Sequence, residues 1–234
     1  MNKVCSTFSQ AVRDIADHSI VMIDGFAGPG GTPQNLIRAL EEQGAKSLTV
    51  VSNTAGLASV IGFGTLPGDR PTDIGILIEN HQVDKIIASF PISPSRSRPT
   101  AFERAYREGE IELELVPQGT LAERIRAGGA GIPAFYTPTG VGTQIAKGKE
   151  TRVFAGKTYV MEKSITADFA LIRGYKADTL GNVVYKGTSQ NFNGVMATAA
   201  KTTIVEVDEL VDASEISSNS IATPGIYVDR IVLI

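Results

Sequence analysis

An α/β fold with an open, mostly parallel sheet flanked by helices follows from three features of the sequence. Short apolar runs alternate with amphipathic helical stretches, glycines close several of those stretches, and the first apolar run passes into its helix through a glycine-rich turn. Strand–helix–strand units of this kind build parallel sheets through right-handed crossovers.

Residues 6–17 carry Phe8, Val12, Ile15 and Ala16 at helical spacing with Asp and Arg between them, which predicts a first helix. "SIVMI" (19–23) reads as a buried strand, and the turn "DGFAGPGGTP" (24–33) follows it. Thr32 is the expected N-cap and Pro33 the expected first residue of the next helix. Leu36, Ile37 and Leu40 form that helix's apolar stripe, and Gly44 marks its end. "SLTVVS" (47–52) and "VDKIIASF" (83–90) read as further buried strands, and residues 99–110 place Phe102, Ala105 and Tyr106 on one helical face. "IELELV" (111–116) alternates, so Ile111, Leu113 and Leu115 are expected inside while Glu112 and Glu114 face water. "TLAERIRAGG" predicts a short helix ending at glycine. "DFALIRGY" and "KTTIVEVDEL" predict two strands, separated by a turn at 178–182 and a helix near 193–200, and "IYVDRIVLI" a final strand.

Two loops stand out at 64–73, "GTLPGDRPTD", and 91–100, "PISPSRSRPT". The stretch 128–143, "GGAGIPAFYTPTGVGT", is uncharged and follows neither period. Long structureless stretches inside a domain are frequently functional, so it is a second place to look for a site.

The 234 residues suit one domain spanning 1–234, and 42% apolar with 20% charged residues allow an ordinary core. A net charge of −3 argues against nucleic-acid binding driven by overall charge. One cysteine, Cys5, excludes an internal disulfide and fits a reducing compartment. The amino-terminal residues lack a signal-peptide apolar stretch, and the longest uncharged run is rich in Gly, Pro and Thr, so a cytoplasmic protein without a membrane span is expected.

The glycine turn fails the nucleotide-binding patterns. It contains no Gly-Lys-Ser/Thr triplet, and the G-x-G-x-x-G spacing begun by Gly28 and Gly30 ends on Pro33. His18 and His81 are the only histidines and no Cys/His spacing fits zinc, so no metal is expected. His18 reads as a helix-end residue, His81 as a loop residue and Cys5 as an inert thiol. Glu123, Glu162 and Glu206 each follow an apolar residue and read as buried or paired, while the arginines at 96, 98, 104 and 107 read as a solvated face. What remains is two glycine-rich elements and no nucleophile.

"ELVPQGTLAERIRAGGAGIPAFYTPTGVGT" (114–143), continued by "YVMEKSITADFALIRGYKADTLGNVVYKGTSQNFNGVMATAAKTTIVEVDELV" and "TPGIYVDRIV", resembles the first subunit of the family I coenzyme A transferases of the 3-oxoacid type. "IVMIDGF…TPQNLIRAL" and "LTVVSNTAG" resemble the same family's amino-terminal block. The resemblance implies transfer of coenzyme A from an acyl-CoA donor to a short-chain carboxylic or 3-oxo acid through a glutamyl-CoA thioester. It implies no cofactor, the CoA thioester being the substrate. The attacking glutamate belongs to a Ser-Glu-Asn-Gly stretch on a second subunit, in an αβ or α2β2 assembly. That motif is absent here; "IENH" (78–81) lacks its serine and glycine, so Glu79 is not taken as the nucleophile.

The resemblance assigns substrate and CoA contacts to Asn53 and Gln118, with Gly25, Phe26, Gly30, Thr54 and Gly119 beside them. The departures cluster near these positions. Asp24 stands where the family has glycine, the turn is one residue longer, Thr54 replaces a common asparagine, 64–73 is an insertion and "PISPS" replaces another loop. Asp24 is expected to lie at the adjacent helix N-terminus and to repel a carboxylate substrate. A thioester hydrolase on the same scaffold, or a non-catalytic protein that binds CoA metabolites, is the alternative.

Overall fold

In the computed structural model, which describes residues 2–26, 31–61 and 72–234, seven strands form one parallel sheet. They are β1 (Ile20–Ile23), β2 (Leu48–Val51), β3 (Val83–Ala88), β4 (Glu112–Leu115), β8 (Ala167–Arg173), β11 (Ala200–Val207) and β13 (Arg230–Leu233), in the order β13-β11-β8-β1-β2-β3-β4. Strand pairs are parallel throughout, with Val21 opposite Val50 on one side and Phe169 on the other. Val4 extends the β13 edge by bridging to Ile231.

The two-residue period of the strands sorts their side chains between two cores. Val21, Ile23, Val50 and Ile86 pack against α1 (Phe8–Val12), α2 (Gln34–Gln43), α4 (Gly75–Glu79) and α5 (Ala101–Glu108). Met22, Val51, Ile87, Ile172 and Val205 pack on the opposite face against α6 (Gln118–Gly129) and α7 (Asn193–Ala197). Leu36, Ile37 and Leu40 of α2 are fully buried, worth about 1.5–3 kcal/mol each in removal from water. A short helix, α3 (Ala58–Ile61), precedes α4.

Two three-stranded sheets complete the chain. β5 (Ala134–Thr137), β6 (Thr151–Phe154) and β7 (Lys157–Lys163) pair antiparallel in the order β5-β7-β6, and β9 (Lys176–Asp178), β10 (Val183–Val184) and β12 (Glu209–Val211) form the second, in the order β10-β9-β12.

Several expectations change. The helix over 6–17 is reduced to Phe8–Val12, capped by Thr7, whose hydroxyl accepts from Gln10 N at 3.1 Å. Thr32 does not cap α2; Pro33 occupies the N-cap without a side-chain bond. The helix N-terminus is served instead by Glu206 from β11, whose carboxylate accepts from Asn35 N at 3.0 Å and Leu36 N at 2.9 Å. Gly44 ends α2 as expected, with φ +84°. Tyr106 is largely exposed although its ring stacks on the buried Phe102. In β4 the alternation fails: Leu115 is exposed, whereas Glu114 is partly covered by Arg124 and Lys85. The stretch 128–143 is not structureless, since Ala134–Thr137 is strand β5. Of the loop 64–73, residues 64–71 lie outside the described residues.

The order of the parallel strands fixes the functional edge. From the central strand β1 the chain adds β2, β3 and β4 on one side and β8, β11 and β13 on the other. Open α/β sheets bind ligands at the carboxyl ends of their strands, beside such a switch point.

Candidate active site at the carboxyl edge of the sheet

The carboxyl ends of β1–β4 carry most of the residues singled out in the sequence. Gly25 follows β1 directly, and a Cβ there would meet Ser52 Oγ at 2.9 Å and Thr54 Oγ1 at 3.1 Å. An alanine here would force the Ser52 hydroxyl to shift. The Thr54 hydroxyl donates to Gly25 O at 3.2 Å, tying the β1 and β2 ends together. Phe26 packs on Phe192, ring centres 6.3 Å apart, and its carbonyl accepts from Asn191 Nδ2 at 2.9 Å. Asn53 is buried, with its carbonyl accepting the Ser89 and Phe90 amides. Gln118 and Gly119 open α6 after β4 and are both exposed. The edge of β1 and β2 therefore brings together Gly25, Phe26, Asn53 and Thr54, and Gln118 and Gly119 lie further along the same edge. Gly30 lies outside the described residues.

Among the described residues, the buried side-chain polar atoms without a hydrogen-bond partner are Asp24 Oδ2, Ser52 Oγ, Asn53 Oδ1, Ser89 Oγ and Thr120 Oγ1. All five follow the ends of β1, β2, β3 and β4. Three of them share one face. Met22, Val51 and Ile87 are laterally aligned and point to the α6 side. Two residues on, Asp24, Asn53 and Ser89 continue that alignment, with Ser52 N donating to Ile87 O and Ser89 N to Asn53 O. Thr120 lies buried in the first turn of α6. Buried polar atoms are normally paired, and exceptions call for an explanation.

Asp24 heads this row and corrects the expectation made for it. Its side chain does not contact the α2 N-terminus, which Glu206 occupies, and it is fully buried. Oδ1 accepts from Phe26 N at 2.9 Å. Burial pushes its pKa up to about 8, against the opposing pull of the amides of Phe26, Gly25 and Asn193. At neutral pH it is a neutral acid, so it does not repel a carboxylate.

On the other side of the switch point the polar groups are engaged with one another. Asn193 Nδ2 donates to Gly31 O at 3.0 Å and its Oδ1 accepts from Arg173 N at 2.8 Å. Arg173 in turn spans Glu206 (2.9 Å) and Asp208 (2.7 Å). Burial pushes the Glu206 carboxyl up, and the Leu36 amide and the Arg173 guanidinium pull it back. This cluster anchors the glycine turn at its α2 end.

Other ionisable groups have structural partners. A cleft of about 420 Å³ beside β7 is lined by Glu114, Arg124, Lys149 and Glu162, but these pair as Arg124–Glu114 and Lys149–Glu162, each at 2.6 Å. Glu79 pairs with Arg104 at 3.1 Å at the end of α4, before β3 begins and so away from the carboxyl edge. Burial raises the Cys5 thiol above its ordinary range, which disfavours the reactive thiolate. Glu123 pairs with Arg126 at the surface. Among the described residues no group of three His, Cys, Asp or Glu could hold a metal ion, and no helix is long and apolar enough to cross a membrane.

Ser52, Ser89 and Thr120 escaped sequence reasoning. Ser89 had a positional cue, since it follows β3 as Asn53 follows β2. Thr120 looked like an ordinary first-turn helix residue.

Fold and edge together define an α/β protein with a row of unpaired polar groups beside a topological switch point. Residues 5–233 match the family model described as coenzyme A transferase, and the chain belongs to that family. One relative is the probable succinyl-CoA:3-ketoacid coenzyme A transferase of Bacillus subtilis (strain 168), in the subunit designated A. The two are 48% identical over 233 residues, all of this chain and 90% of the relative. A second is the 3-oxoadipate CoA-transferase of Pseudomonas putida, again in the subunit designated A, at 43% identity over 234 residues, all of this chain and 94% of the relative. The glutaconate coenzyme A-transferase of Acidaminococcus fermentans shares the fold, with a TM-score of 0.79 at 20% identity over 99% of this chain and 75% of that one.

Proposed function

We propose that this chain is the A-type, or first, subunit of a heteromeric coenzyme A transferase that moves CoA from an acyl-CoA donor to a short-chain 3-oxo or carboxylic acid. The observation that carries the reading is a carboxyl edge supplied with binding groups but, among the described residues, with no activated nucleophile. Near-full-length similarity to relatives whose names give them this same place in a transferase fits that division of labour.

In this reading a partner subunit bearing Ser-Glu-Asn-Gly supplies the carboxylate that becomes the glutamyl-CoA thioester, in an αβ or α2β2 assembly. Charge develops on a carbonyl oxygen when a carboxylate attacks a thioester, and fixed neutral donors stabilise it most where water is excluded. Gln118 at the exposed start of α6 and Asn53 in the row are such donors, and Gly25 and Gly119 allow close approach. The thioester is itself a substrate, so no further cofactor is invoked. A reducing cytoplasm fits the single thiol and the acyl-CoA chemistry.

The test is to produce this chain with a Ser-Glu-Asn-Gly partner and follow CoA movement from succinyl-CoA to a panel of acids. Transfer by the pair, and none by either chain alone, is the expected outcome. Turnover by this chain alone, or CoA release that ignores the acceptor acid, would overturn the proposal.

A further inference from the structure

The unpaired row at the carboxyl edge has a chemical character that narrows what it can bind. Asp24 Oδ2, Asn53 Oδ1 and Ser89 Oγ, beyond the ends of three adjacent strands, and Thr120 Oγ1, in the first turn of α6, are left unpaired. No cation among the described residues pairs with any of them. Arg173, at the neighbouring β8 end, is held by Glu206 and Asp208, and Arg124 on α6 is held by Glu114 and by Lys163 O. A carboxylate seated on the row would lose its hydration without gaining a counter-charge. An uncharged carbonyl oxygen needs hydrogen-bond donors alone, and the Ser89 and Thr120 hydroxyls and a protonated Asp24 carboxyl supply those.

Resting on the transfer reading above, we infer that Asp24, Ser89 and Thr120 form a neutral subsite for the 3-oxo oxygen of the acceptor acid, with Asp24 as its specificity-determining member. The acceptor's carboxylate then remains with the partner's reacting groups, and the row reads whether a ketone is present. Asp24 is suited to this by burial without a cation, which keeps its proton on at neutral pH. The titratable group facing it from beyond β10 is Tyr185, whose hydroxyl is engaged with Thr223 Oγ1 at 2.7 Å. Burial raises the Tyr185 pKa to about 12, so it stays neutral while Asp24 titrates near 8. A site built to hydrogen-bond a substrate oxygen discriminates against an analogue lacking it, because its own polar groups are then left unpaired.

The experiment compares kcat/KM for acetoacetate with that for butyrate in the assembled pair. Asp24→Ala should lower the acetoacetate preference roughly 10–100-fold, whereas Asp24→Asn, which keeps a donor, should hold it within about 3-fold at pH 7. The wild-type preference should fall as pH rises from about 7 to 9 while that of Asp24→Asn stays flat. A merely structural role would lower both acids together and leave the ratio unmoved. An unchanged ratio in Asp24→Ala, or parallel pH profiles, would assign the row to ordered water and overturn the inference. Infrared spectra of the isolated chain give an arm independent of turnover: a protonated carboxyl band present in the wild type and absent from Asp24→Asn supports the donor, and no difference between them refutes it. Transfer to no acid at all would overturn the transfer reading and the subsite with it. Transfer with an unaltered ratio removes the subsite alone.

Discussion

Two polar regions meet at the end of β1, and they are treated in opposite ways. On the β8 and β11 side, Asn193, Arg173, Glu206 and the α2 amides satisfy one another. On the β2 and β3 side, Asp24, Asn53 and Ser89 are equally sheltered yet keep an unpaired atom each. Both regions are desolvated, so burial alone does not separate them; completion does. A completed network stabilises and fixes geometry, whereas an incomplete one costs stability and is retained where a ligand supplies the missing partners.

The largest expected effect comes from breaking the completed side. Glu206→Gln removes the more buried of the two carboxylates that hold Arg173 and weakens the cap on α2, and should cost roughly 2–3 kcal/mol in chemical denaturation. On the incomplete side, Asp24 makes stability depend on pH. Its folded pKa of about 8 stands above the ordinary 3.8. The folded chain therefore holds a proton that the unfolded chain releases, so the favourable contribution is full below about pH 4 and lost as pH rises towards 8. Melting temperatures of Asp24→Asn should gain on the wild type across that interval, and equal slopes would contradict the protonated state. Gly25→Ala pushes a methyl group against Ser52 Oγ and should cost roughly 1–3 kcal/mol. Ser89→Ala and Thr120→Val remove atoms that have no partner, so stability should change by less than about 1 kcal/mol or improve, while acetoacetate transfer weakens. Gln118→Ala should move stability least, within about 0.5 kcal/mol for an exposed side chain, yet reduce kcat of the pair by roughly 10²-fold if its amide meets the developing charge. A melting shift as large as that of Glu206→Gln would erase the distinction between the two sides.

This contrast explains what could be read in advance. Apolar periodicity and glycine punctuation are local, and they located β1, β2, β3, β8, β11 and α2 closely. Caps that come from afar are not local: Thr32 fits the usual rule, but Glu206, 171 positions from Asn35, takes the role. The edge strand β4 departed from its alternation because Glu114 gained Arg124 as a partner. Strand β5 hid within an uncharged Gly- and Pro-rich stretch, since its pairing with β7 depends on residues 157–163. At the site, Gly25, Asn53 and Thr54 were legible through resemblance and do share one edge. The protonation of Asp24 was not, because it depends on burial under Asn193 and Tyr185, residues far along the chain.

The placement of β1 also orders events during synthesis. Its neighbour β2 emerges from the ribosome soon after it, but β8 follows only after residue 166, and Glu206, which closes the α2 amides, later still. Val4 and Cys5 must wait for Ile231 to form their sheet contacts. A nascent chain thus carries its central strand half-framed until residues 167–173 are made, with one side unpaired. The start of α2 and the amino-terminal segment are fastened only once residues 206 and 231 have been made.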